Sequence, residues 1–139
     1  MSILDIEKQI KKVLKEANPD IPIYQADAFD KAPAVCILYT GMEQQKITMD
    51  PAYRITYTFN IVLYWPVGKG RNAEVSFNRM KEAIQNYADY LSAYDDLYGT
   101  VKSSDLQNGS LEIEVQQRNE YYFHSFTLSV VEEVKYSTS

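Results

Sequence analysis

From Tyr53 to Trp65 the chain alternates without a break: Tyr53, Ile55, Tyr57, Phe59, Ile61, Leu63 and Trp65 hold every odd position. The even positions begin polar, at Arg54, Thr56, Thr58 and Asn60, and turn apolar at Val62 and Tyr64. Alternation with period two, in β-branched and aromatic residues, is a strand. At about 3.3 Å per residue this one spans roughly 43 Å, around twice the usual length. A chain of 139 residues is one domain's worth. An ordinary domain of that size is narrower than this strand is long.

Residues 34 to 48 also read as strand, and "MDPA" at 49 to 52 reads as a turn, so the two arms form one long β-hairpin. With the turn centred near Asp50, Val35 to Tyr39 fall opposite Ile61 to Trp65, and that end is apolar on both faces. Nearer the turn, Arg54, Thr56 and Thr58 lie opposite the polar run Glu43, Gln44, Gln45, Lys46. The expectation is a hairpin whose base sits in the core and whose tip projects. Its tip residues Tyr53, Arg54, Ile55, Thr56 and Tyr57 are therefore the candidate subunit or partner interface.

Two helices flank the hairpin. Ile3, Ile6, Ile10, Val13 and Leu14 recur at spacings of three and four, with Ser2 as cap and "ANPDIP" as the stop. A short extended piece, "IPIYQ", and a loop around 26 to 33 follow. Beyond the loop "PVGKGRN", a second helix is expected over 73 to 98. Its buried stripe is Val75, Met80, Ile84, Tyr87, Ala88, Leu91 and Tyr94, with Asn72 as cap and Gly99 as stop. "TVKSSDL" reads as a weak strand, "LEIEVQQ" as another, and a turn at "RNE" leads into "YYFHSFTLSVVEEV". "YSTS" reads as a frayed tail. The expected fold is a single α+β domain over 1–139: a mainly antiparallel sheet with a long protruding hairpin and two helices on one face. The other face, carrying Thr, Asn, Ser and Glu, is expected to be open to partners.

Nothing in the sequence assembles a catalytic site. "GKGR" at 68 to 71 shares a Gly-Lys with phosphate-binding loops but has neither their spacing nor their terminal hydroxyl, so Lys69 and Arg71 read as an exposed basic loop. His124 is the only histidine, and no metal-ligand spacing surrounds it. Cys36 lies in the apolar run "AVCILY", the setting of a buried thiol rather than an activated nucleophile. It also leaves no intramolecular disulfide. Asp95 with Asp96 and Glu132 with Glu133 are adjacent carboxylates that regular structure points apart. The reading is of a protein that is not an enzyme and has no catalytic, cofactor or metal residues.

Net charge of -5 argues against an electrostatically driven nucleic-acid binder. The first ten residues do not form a signal peptide, and no run reaches transmembrane length, so assembly in a cytoplasm is expected. Twelve tyrosines suit a surface that is wet in the monomer and buried in an assembly, although strands favour tyrosine in any case.

The N-terminal helix and its exit, "DIEKQIKKVLKEANPDIPIY", the hairpin ending "YTFNIVLYWP", the helix "FNRMKEAIQNYADYL" and the closing "FHSFTLSVVEEV" together resemble the tail terminator, or tail completion, proteins of long-tailed bacteriophages and prophages. The resemblance covers most of the chain and lies in the order, lengths and flavour of the elements. It implies a small protomer that forms a homo-oligomeric ring, typically a hexamer, on the finished tail tube and joins it to the head connector. The implied partners are further copies, the tail tube protein and the head-tail connector. DNA would pass through without sequence-specific binding, no membrane would be involved, and no cofactor would be used. The implied location is the tail-head junction of the virion, assembled in the bacterial host cytoplasm. Two alternatives remain: a head-to-tail connector or neck (head completion) protein, and a monomeric peptide-binding α+β module.

Overall fold

The computed structural model describes residues 2–47, 52–116 and 119–135. In chain order its elements are α1 (Ile3–Ala17), β1 (Ile23–Tyr24), β2 (Ala34–Ile47), β3 (Ala52–Pro66), α2 (Ala73–Ala93), β4 (Ser103–Gln116) and β5 (Asn119–Lys135). The fold is α+β: two helices and a five-stranded sheet in the order β1-β2-β3-β5-β4, with only the β1–β2 pair parallel.

Helix α1 starts where its sequence says it should. The Ser2 hydroxyl accepts from the Asp5 backbone N–H at 3.1 Å, and the Asp5 carboxylate accepts from the Ser2 N–H at 3.2 Å. This reciprocal box satisfies two of the orphan donors at a helix start. Asn18, at the other end, ties the helices together. Its Nδ2 donates to the Ala83 carbonyl at 3.0 Å, and its Oδ1 accepts from Asn86 Nδ2 at 3.1 Å.

Helix α2 departs from expectation at both ends. Asn72 is itself helical in backbone and caps nothing, because a 3-10 turn over Gly70–Asn72 already leads into the helix. The helix ends at Ala93, short of Gly99, and Leu97, Tyr98 and Gly99 all take positive φ in the turns that follow. Its buried stripe is Met80, Ala83, Tyr87 and Leu91, while Val75 faces solvent.

The core lies between the helices and one sheet face. Val35 and Ile37 of β2, Tyr57, Phe59, Ile61 and Leu63 of β3, and Phe126, Leu128 and Val130 of β5 meet Ile6, Ile10, Leu14, Met80, Tyr87 and Leu91 there. The opposite face is not wholly open. Phe29, from the loop between β1 and β2, packs on Tyr64 at 4.6 Å between ring centroids and edge-on to Tyr121 at 5.6 Å. That cover closes a small second cluster around Cys36, Val62 and Tyr64. Beyond it the face is polar, with Thr127 donating to Asn60 Oδ1 at 3.3 Å.

The hairpin forms with a different register from the one expected. Val35 pairs with Leu63 and Tyr39 with Phe59, two residues from the predicted alignment, and a bulge between Tyr39 and Gly41 resets the pairing toward the tip. Of the turn placed at 49 to 52, only Ala52 falls within the described residues, where it begins β3. The length of β3 also has a different cause. The strand is central, not half of a free hairpin, for β5 runs beside it from Pro66↔Tyr121 to Ala52↔Lys135. Ser103 to Leu106 of "TVKSSDL" and Leu111 to Gln116 of "LEIEVQQ" belong to one strand, β4, whose pairing shifts between Asn108 and Leu111, while Thr100 to Lys102 precede it and Gln117 lies outside the described residues. Arg118 of the expected "RNE" turn and the "YSTS" tail lie outside the described residues, and Asn119 and Glu120 already belong to β5.

Candidate assembly surfaces

The five tip residues do not form one surface. Tyr57 points toward the helices and is only 4 % exposed, within the chain's own core, which corrects the expectation that it projects. Burial is the main cause of the upward shift of its phenol pKa. Ile55, on the same face, is half-buried against that core, and Tyr53 is half-buried as well. Arg54 is exposed on the opposite face and donates to Glu133 at 3.3 Å, while Thr56 is half-buried. Glu133 also receives Lys102, and these two cations hold its carboxyl below the ordinary value. The tip is therefore a well-supported end of the sheet on the β5 side. What it leaves uncovered is β2.

Lys69 and Arg71 are exposed. Lys69 lines a cleft with Asp30, Lys31, Glu120 and Tyr121, in which charges of both signs balance. Cys36 is fully buried, and desolvation pushes its thiol up to about 11, the reverse of what a nucleophile needs. Burial likewise depresses the pKa of His124, whose ring stands 4.7 Å from Phe126 on the helix side of the sheet. Cys36 lies in the cluster on the other face, so the two never meet. Among the described residues no group of three His, Cys, Asp or Glu side chains gathers to hold a metal ion, and no helix is long and apolar enough to cross a membrane.

The surfaces that stand out are the two outer strands. β1 pairs only with Val35 and Cys36, so among the described residues the outer edge of β2 from Ile37 to Ile47 has no strand beside it. β4 is the opposite edge and is likewise unpaired on its outer side. Among the described residues, four large apolar side chains are exposed on these strands: Tyr39 and Met42 on β2, Leu111 and Ile113 on β4. Cross-strand partners share a sheet face. Tyr39 pairs with Phe59 and Met42 with Tyr57, while the row of Leu111 runs through His124 to Leu63 and that of Ile113 through Tyr122 to Trp65. All four thus lie on the helix-bearing face, beyond the cover of the helices. In the sequence they are marked by a change of phase. The inward positions run Ile37, Tyr39 and then Met42, Gln44 on β2, and Leu106, Asn108 and then Leu111, Ile113 on β4.

Such an arrangement can recruit a strand or a neighbouring sheet by main-chain hydrogen bonding, with apolar side chains adding affinity. No protein-family model matches the chain, and no curated protein resembles it closely enough to count as a relative.

Proposed function

We propose that the chain is a structural protein of virion assembly, which caps the finished tail tube of a long-tailed bacteriophage or prophage as a ring and joins it to the head connector. The observation that supports this best is the pair of uncovered apolar edges, Tyr39 and Met42 on one side of the sheet and Leu111 and Ile113 on the other. A solitary protomer leaves them in water at a cost of about 25 cal/mol per Å² of apolar surface. A ring removes that cost at every subunit boundary. The order of helix, long hairpin, helix and closing strands agrees with the resemblance, which by itself speaks to fold alone. The acidic balance of -5 suits a ring that conducts DNA without gripping it.

Light scattering over a range of concentrations, alone and with isolated tail tubes, tests the reading. The expected result is a ring mass, six protomers by the resemblance, on one end of each tube, with an end to tube growth. A protein that neither associates nor alters tube growth at any ratio would sink it. Binding to a head connector with no affinity for tubes would favour a neck protein instead.

A further inference from the structure

We infer that copies of this chain join edge to edge, the β4 edge of one pairing antiparallel with the β2 edge of the next, so that the sheet continues from subunit to subunit. The inference rests on the reading above in taking a second copy as the occupant, and it names the contact.

The strand senses support it first. β2 opposes β3, β3 opposes β5, and β5 opposes β4, so the two edge strands run in opposite directions. Repeating the protomer along the hydrogen-bonding direction, without turning it over, therefore brings β4 beside β2 as an antiparallel pair, the more stable ladder. The contact is heterologous, since one patch meets a different patch, and contacts of that kind close into rings when the rotation allows.

Charge disfavours the two-fold pairing of one β4 edge with another. From Ser103 to Gln116 the sequence carries Asp105, Glu112 and Glu114 and no cation, whereas from Leu38 to Ile47 it carries one acid, Glu43, and one base, Lys46. Two β4 edges brought together would set acid against acid, which destabilises a strand pair. A β2 edge presents β4 with no net charge and one lysine. Apolar side chains agree: Met42 and Ile113 are 52 % and 63 % exposed, and both lie on the helix-bearing face. In the continued sheet Leu111 and Ile113 come to lie beside Met42 and Tyr39. Reaching that alignment requires one subunit to be staggered along the strands relative to the next, as closure of any sheet into a cylinder demands.

Variants with one added cysteine test the contact. Met42→Cys and Leu111→Cys replace exposed side chains, and buried Cys36 stays as an internal control. A short bis-maleimide, tolerant of a residue or two in register, is added to each variant alone, to their mixture and to the double variant, with and without tail tubes. Tyr39→Cys with Ile113→Cys serves as a second pair. The expected result is a cross-linked dimer in the mixture, none in either variant alone, and a ladder of oligomers from the double variant. Cross-linking of either single variant to itself makes the contact isologous and overturns the inference. Capped tubes with no cross-link from either pair also overturn it, while leaving the proposed function standing. A ladder from protein that fails to cap tubes supports the contact and removes the tail reading. Absence of both cross-links and capping counts against both.

Discussion

Tyr57 stands directly opposite Val130 across the central strand pair, and both side chains lie in the core beneath the helices. Truncation there empties a packed site. Tyr57→Ala is expected to cost about 3 kcal/mol or more of folding stability. Tyr53→Ala, at a half-buried position on the same strand, should cost about 1 kcal/mol or less. Urea unfolding of the two variants checks the contrast, and equal losses would mean that the core does not end where the burial pattern places it.

A Cβ on residue 109 would stand 2.5 Å from the carbonyl oxygen of Ser125, closer than a Cβ atom comes to a backbone oxygen. Gly109 marks the place where β4 shifts its pairing with β5. Gly109→Ala should therefore destabilise the protein by about 1–3 kcal/mol through overpacking. At Gly41, the residue beside the bulge in β2, a Cβ meets nothing within 4 Å. Gly41→Ala should leave thermal unfolding unchanged or raise it slightly, since it restricts only the unfolded chain.

Thiol chemistry offers a direct probe of the second cluster. With its pKa pushed up to about 11 by burial, native Cys36 holds only about one part in a thousand as thiolate at pH 8. Iodoacetamide at pH 8 should leave the folded protein unmodified over hours and label it rapidly in guanidinium. Fast native labelling would show that the Phe29 loop opens far more often than its packing on Tyr64 implies.

Acid should weaken the sheet through Glu133. Hydrogen bonds from Lys102 and then Arg54 lower its folded pKa below the ordinary 4.5. The stability it contributes is fully present above 4.5 and is lost as pH falls through the folded value. Glu133→Gln should accordingly flatten the fall in stability below about pH 4.5 and leave a smaller salt dependence at pH 7. A variant that unfolds with acid and salt as the parent does would mean that the exposed triad contributes nothing measurable.

The helices and the strand-rich character were legible because their signals are local. Ser2 three residues before Asp5 marks a start that needs no tertiary information, and the spacing of Met80, Tyr87 and Leu91 fixes a face. Asn72 misled because the residue type suits a cap, while the 3-10 turn at Gly70–Asn72 had already set the helical backbone. β4 read as two strands because its inward parity flips between Asn108 and Leu111, and a flip looks like an interruption until the partner strand shows it to be a bulge. The burial of Tyr57 was out of reach for a different reason. It depends on β5, far along the chain, lying against the second edge of β3, and no local pattern states that. The edge surfaces of β2 and β4 were hidden likewise, since which strands are outermost is a property of the whole sheet.

The central position of β3 has a consequence for synthesis. Its pairing with β2 is available as soon as the hairpin has left the ribosome, but Pro66 must wait for Tyr121 and Ala52 for Lys135. Until then one flank of the most apolar strand in the protein stays unpaired, and contacts so distant along the chain form slowly. A nascent or prematurely terminated product also lacks the β4 edge that the proposed ring needs. Completion of β5 thus becomes a checkpoint, at which the chain gains its core and the β4 edge in the same event.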